Sequence, residues 1–146
     1  MAKSPKILFV DDDRDFLAAQ VAFFVGRGYE VVTLDRVEGA LERISQERPD
    51  IIVLDLMMEH YDSGFLLGRR IRQDPAMIGV PILMLSGVAG ATGHKFGAEA
   101  AALKDWIKLD AFLDKPVTGR QLLKVVEEKL GERSQAAQAA TGATAG

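Results

Sequence analysis

Residues 6–13 read Lys-Ile-Leu-Phe-Val-Asp-Asp-Asp, a short apolar run that stops at three consecutive acids. A strand with one wet face alternates polar and apolar side chains. A strand with no polar face is buried on both sides, as in a parallel sheet covered by helices. The pattern recurs: Ile51-Ile52-Val53-Leu54 runs into Asp55, Pro81 to Leu85 runs into Ser86, and the last strand, Ala111 to Lys115, ends at Lys115-Pro116. A further strand is read at Tyr29 to Leu34.

Helical spacing fills the gaps. Leu17, Val21, Phe24 and Val25 make one stripe, closed by Gly26 and Gly28. Val37, Ala40, Leu41 and Ile44 make the second, with Pro49 beyond it. A third helix runs from Gly64 to about Asp74 and stops at Pro75. A fourth is expected around Ala98 to Lys108. Thr118 and Gln121 form a capping-box pair opening the fifth, with core positions Leu122, Val125, Val126 and Leu130 and an end at Gly131. Five strands alternating with five helices predict an α/β fold, a doubly wound five-stranded parallel sheet covered on both faces; its order is taken as 2-1-3-4-5, one of the two common doubly wound orders.

The chain has 146 residues, 18 Lys plus Arg against 21 Asp plus Glu, and no cysteine. That length suits one domain. The cysteine count excludes disulfide frameworks, Cys-zinc sites and thiol nucleophiles. No basic excess points to direct nucleic-acid binding. No apolar run approaches the roughly 18 residues of a membrane span, so no membrane association and a cytoplasmic location are expected. Residues 134–146, SQAAQAATGATAG, carry no charge or aromatic, so the expected division is a domain over 1–133 and a flexible tail or linker stub over 134–146.

In a doubly wound sheet the site lies beyond the carboxyl ends of the strands. With strands one and three adjacent, Asp11, Asp12 and Asp55 converge. Clustered carboxylates repel, and a divalent cation is the natural remedy; Mg²⁺ takes hard oxygen ligands. A carboxylate beside such a metal can attack phosphorus, and Ser86 and Lys115 would then supply a hydroxyl and a cation to the phosphoryl group. Each residue alone has a plainer reading: an Asp after a strand caps the next helix, and a lone Ser or Lys-Pro is a turn or surface feature. The ordered occurrence of all of them at four strand ends favours the shared site.

ILFVDDDRDF, IIVLDLMM, ILMLSG and AFLDKP together resemble the receiver domains of two-component response regulators, over residues 6 to about 131. The resemblance implies a flavodoxin-like fold in which Asp55 is the phosphoacceptor and Asp12 a direct Mg²⁺ ligand (Mn²⁺ substituting). Asp11 would hold metal-bound water, and the Met57 main-chain carbonyl would complete the protein ligands. It further implies that Ser86 is the switch hydroxyl, Lys115 the partner of the phosphoryl group, and Phe112 the aromatic whose rotamer follows phosphorylation. Pro116 would follow a cis peptide. The implied donor is a sensor histidine kinase or phosphotransfer protein, docking near Arg14, Asp15, Ala18, Pro116 and Val117. The implied output is a changed face of helix four, strand five and helix five, presented to a downstream protein, an output domain or a second copy in a dimer. Such a domain is no enzyme beyond its own phosphorylation and dephosphorylation.

Two departures stand out. Where the family usually has Pro, four residues after Asp55, this chain has Glu59 followed by His60; a charge there would tune metal affinity or phosphate lifetime. The segment 87–97, GVAGATGHKFG, is longer than usual, with Trp106 and Ile107 beyond it. Met57 and Val88 would flank the attacking water and favour a persistent phosphorylated state. The competing functions are a phosphorylation-independent binding module on the same fold, and a Mg²⁺-dependent phosphohydrolase using the D-x-D of Asp11 and Asp13.

Overall fold

The computed structural model describes residues 4–56, 63–86 and 110–145. Five strands, β1 (Lys6–Val10), β2 (Glu30–Leu34), β3 (Ile51–Asp55), β4 (Ile82–Ser86) and β5 (Ala111–Asp114), form one sheet in the order β2-β1-β3-β4-β5. All four pairings are parallel. Fold class and strand order are as the sequence predicts.

Alternation along each strand divides the core in two. Leu8, Val10, Ile52, Leu54, Ile82 and Met84 face the helices α2 (Ala40–Glu47) and α3 (Ser63–Gln73), meeting Ala40, Ile44, Leu67 and Ile71. Ile7, Phe9, Ile51, Val53, Leu83 and Leu85 face α1 (Arg14–Val25) and α4 (Gly119–Ala145), meeting Leu17, Phe24, Leu122 and Val126. Ile7, Leu8, Phe9 and Val10 are all 0% exposed. Full burial of such a side chain stabilises the fold by about 1.5–3 kcal/mol. A polar residue at any of these four positions would therefore be costly, whichever face it took.

The first helical stripe differs from the expected one. Leu17 and Phe24 are buried, but the third buried position of α1 is Gln20, while Val25 is 54% exposed. Spacing alone could not choose, because a stripe through positions 17, 20 and 24 fits a helix as well as one through 17, 21, 24 and 25. Gln20 leaves its side-chain oxygen buried with no hydrogen-bond partner among the described residues.

The last helix differs more. Thr118 and Gln121 close the expected capping box, the Thr118 N–H donating to Gln121 Oε1 (2.8 Å) and the Gln121 N–H to Thr118 Oγ1 (3.2 Å). The helix then passes through Gly131, where an end was expected, and continues to Ala145 across the stretch expected to be a flexible tail. Glycine costs a helix only about 1 kcal/mol against alanine, and the residues after it are rich in alanine, the best helix former. Near this crossing Arg133 donates to the Asp50 carbonyl (2.8 Å), tying the helix to the start of β3. The fourth helix expected over 98–108 lies outside the described residues.

A clasp closes the sheet at the end opposite the acids. The Asp110 carboxylate accepts from Arg72 (2.8 Å) and from the Ile82 N–H (2.8 Å). Arg72 also donates to the Met77 carbonyl (2.9 Å) in the 3-10 turn Pro75–Met77 that follows α3. Burial lowers the pKa of Arg72, and Asp110 opposes that shift.

Candidate functional site

Register assembles the site. Val10 pairs with Leu54, so Asp11 and Asp55 follow side by side off β1 and β3. Asp55 pairs with Leu85, which places Ser86 one step further along β4. Ser86 pairs with Asp114, which places Lys115 one step beyond β5. Backbone bonds hold these ends: the Asp11 N–H to the Leu34 carbonyl (3.0 Å), Leu56 to Leu85 (2.7 Å) and Lys115 to Ser86 (2.7 Å). The Lys115–Pro116 peptide is cis, as expected.

Asp11, Asp12 and Asp55 each offer a carboxylate oxygen, and these lie within 4.8 Å of one another. Asp11 and Asp55 are only 2% and 6% exposed, whereas Asp12 is exposed. Lys115 Nζ reaches Asp11 Oδ2 at 2.7 Å and Asp55 Oδ2 at 3.5 Å. Burial is the largest single influence on Lys115 and opposes its charge. The hydrogen bond to Asp11 and the charges of Asp55, Asp11 and Asp13 together outweigh burial, and its pKa is raised. Among the described residues, one cation stands against three acids in the cluster. Oxygen donors converging from two buried positions and one exposed position could hold a hard metal cation.

Asp13 has a separate task. Its N–H donates to Asp11 Oδ1 (2.9 Å), and its own carboxylate accepts the Phe16 N–H (3.1 Å), capping α1. The plain reading of an Asp after a strand thus holds for Asp13, while Asp11 and Asp12 offer carboxylate oxygens close to that of Asp55. Ser86 is fully buried at the end of β4. Phe112 is partly buried and packs against the α2/α3 side of the core, while Leu113 packs on the other side.

Arg14, Asp15, Ala18 and Pro116 are exposed, and Val117 is half-buried. Arg14 is engaged with Asp35, at 3.0 Å. A cleft of about 690 Å³ between α1 and α2 is lined by Arg14, Arg36 and Arg43 and by Asp35, Glu38 and Glu42, so its charges balance. Met57, Glu59, His60, Val88, the 87–97 segment, Trp106 and Ile107 lie outside the described residues.

Two contacts were not legible in the sequence. The Gly64 N–H donates to the Leu56 carbonyl (2.9 Å). A β-carbon on Gly64 would overlap the Asp55 carbonyl oxygen and lie 2.7 Å from its carbonyl carbon. The Phe16 ring centroid lies 4.7 Å from Lys115 Nζ. Gly64 lies outside the quoted motifs, and Phe16 ends one of them without a role assigned to it; both contacts depend on how a helix seats against a strand end.

The model of the response regulator receiver domain family matches residues 7–127. The chain belongs to this family. Among curated relatives, the alkaline phosphatase synthesis transcriptional regulatory protein PhoP of Bacillus subtilis is 32% identical over 117 residues, covering 80% of this receiver and 45% of that protein. Transcriptional regulatory protein AfsQ1 of Streptomyces coelicolor is 31% identical over 140 residues, covering 94% and 57%. This receiver spans about half the length of these two relatives. Among solved structures, a CheY-like receiver domain protein from Methanospirillum hungatei superposes with a TM-score of 0.78 at 25% identity, covering 91% of this chain and 98% of that one. Chemotaxis response regulator CheY4 of Vibrio cholerae superposes with a TM-score of 0.74 at 25% identity, covering 86% and 98%. Receiver domains are signalling switches, and none of this receiver's helices is long and apolar enough to cross a membrane among the described residues.

Proposed function

We propose that the chain is a phosphorylation-driven switch that accepts a phosphoryl group on Asp55 from a phosphohistidine of a sensor kinase or phosphotransfer protein. The observation carrying this reading is the convergence of Asp11, Asp12 and Asp55 on one point with Lys115 beside them. In the transfer an Asp55 carboxylate oxygen bonds to phosphorus as the phosphorus–nitrogen bond to histidine breaks, and the imidazole nitrogen keeps the bonding pair. Asp11, Asp12 and Asp55, with the Met57 carbonyl, would hold the Mg²⁺, which when bound supplies charge neutralisation at the phosphoryl oxygens. Lys115 stands within reach of Asp55 to take up an oxygen of the new group.

Added charge at Asp55 draws the Ser86 hydroxyl onto it. Phe112, on the adjacent strand, then turns inward. The surface formed by the fourth helix of the sequence reading, β5 and α4 is thereby re-contoured, a two-state element biased by local electrostatics. Arg14, Asp15, Ala18, Pro116 and Val117 are the proposed docking residues for the donor. The receiver unit is proposed as 1–133, with 134–146 connecting it to a downstream protein or output domain, in the cytoplasm.

The test is incubation with acetyl phosphate and Mg²⁺, read by intact mass and Phos-tag electrophoresis. Modification that vanishes in Asp55→Asn and with chelator supports the switch. Unmodified protein that still engages its partner would show a phosphorylation-independent module, and steady turnover of phosphate esters a hydrolase.

A further inference from the structure

We infer that Phe16 is a positioning residue for Lys115, holding its ammonium at the acid cluster by a force that does not depend on the charge of the acids. The inference rests on the reading of that cluster as a phosphoacceptor site. Lys115 Nζ meets Asp11 (2.7 Å) and Asp55 (3.5 Å). The same Nζ lies over the Phe16 ring, 4.7 Å from the centroid, within cation–π range.

The ring's own position is held in two ways. Phe16 lies in the first turn of α1, and its N–H is bonded to the capping carboxylate of Asp13 (3.1 Å). Its ring also meets Phe9 edge-on at 6.5 Å and 77°, and Phe9 is fully buried in β1. The aromatic is thus fixed to the same strand that delivers Asp11 and Asp12.

The consequence follows from charge. The ion pairs to Asp11 and Asp55 hold Lys115 more weakly as the charge of those carboxylates is compensated. A divalent cation at the three acids removes much of that attraction and repels the ammonium. The pull of an aromatic quadrupole is unaffected by that neutralisation. Phe16 therefore adds a hold on Lys115 beside Asp55 that keeps its full strength when the pull of the acids is weakened, which is when an incoming phosphoryl group needs its cation.

The test uses the full chain and two readouts. In NMR spectra, the Lys115 ε-methylene signal, assigned with Lys115→Arg, is expected upfield from the ring current of Phe16. That shift should persist at saturating Mg²⁺, survive in Phe16→Tyr and vanish in Phe16→Leu. In acetyl phosphate labelling of Asp55, Phe16→Leu is expected to slow the rate about fivefold, and Phe16→Tyr to restore it. Site-specific mono-, di- and trifluorophenylalanine at position 16 should fall between, in order of fluorination, at an unchanged melting temperature. An ε-methylene signal that returns to its ordinary position on adding Mg²⁺, or a rate flat across the fluorinated series, overturns the inference. Failure of the unaltered protein to accept a phosphoryl group on Asp55 overturns the reading of the site instead, and the Mg²⁺ titration of the ε-methylene signal then decides this inference by itself.

Discussion

Gly64→Ala pits two effects of opposite sign against each other. Alanine is the better helix former, and at an open helical position the change would stabilise by about 1 kcal/mol. Here the new β-carbon would overlap the Asp55 carbonyl oxygen, 2.7 Å from the Asp55 carbonyl carbon and 2.8 Å from Leu56 Cα. All three are backbone atoms, so no rotamer change relieves the clash. Either the end of β3 or the start of α3 must move. Overpacking of this kind costs about 1–3 kcal/mol, and rigid neighbours put this case at the upper end, about 3 kcal/mol. Packing wins, and the net expectation is a loss of about 2 kcal/mol. With a urea slope of about 1–3 kcal/mol per molar, the unfolding midpoint should fall by about 1 M. Because the strained atoms carry Asp55 itself, acetyl phosphate labelling should also slow under native conditions. Gly131→Ala is the control: it lies within α4 with nothing near its would-be β-carbon, and should raise the midpoint. A Gly64→Ala protein as stable as the unaltered chain would refute the reasoning.

Three further expectations rest on other features. Arg48 closes α2 in the left-handed region at φ 48°, exposed to solvent, so Arg48→Gly should gain about 0.5–1 kcal/mol in urea unfolding; a loss would show that its side chain matters more than its backbone. Asp110→Ala removes the acceptor shared by Arg72 and the Ile82 N–H and should cost about 2 kcal/mol, measured by the same assay, with the largest rise in amide exchange at Ile82. Lys115 has a raised pKa in the fold, so its ion pairs stabilise below the ordinary lysine value of 10.5 and lose that contribution as pH climbs beyond it. The stability gap between the unaltered chain and Lys115→Met, in metal-free buffer, should therefore narrow above about pH 10.5, and a constant gap would contradict the assignment.

The strand ends were legible because each candidate site residue directly follows a continuous apolar run. Burial on both faces requires that run, and a parallel sheet brings all such ends to one edge. So Asp11, Asp12, Asp55, Ser86 and Lys115 could be assigned to one edge of the sheet from linear sequence, whereas the order of the strands came with the flavodoxin-like fold and not from the apolar runs. The capping box at Thr118 and Gln121 was legible for the same reason: its bonds span three residues. Tertiary structure decided what depends on distance between elements. Whether Gln20 or Val21 and Val25 faces the sheet is set by how α1 seats on β1. Which of three consecutive acids caps a helix and which join the cluster is set by where the chain turns after Val10. Lys115 pairing first with Asp11, the need for glycine at position 64 and the ring of Phe16 beside the lysine all arise where one element's side chain meets another's backbone. Periodicity records which face a residue takes along its own element. It carries no information on the few ångströms separating that face from a neighbour, and the geometry of this acid cluster lies in those ångströms.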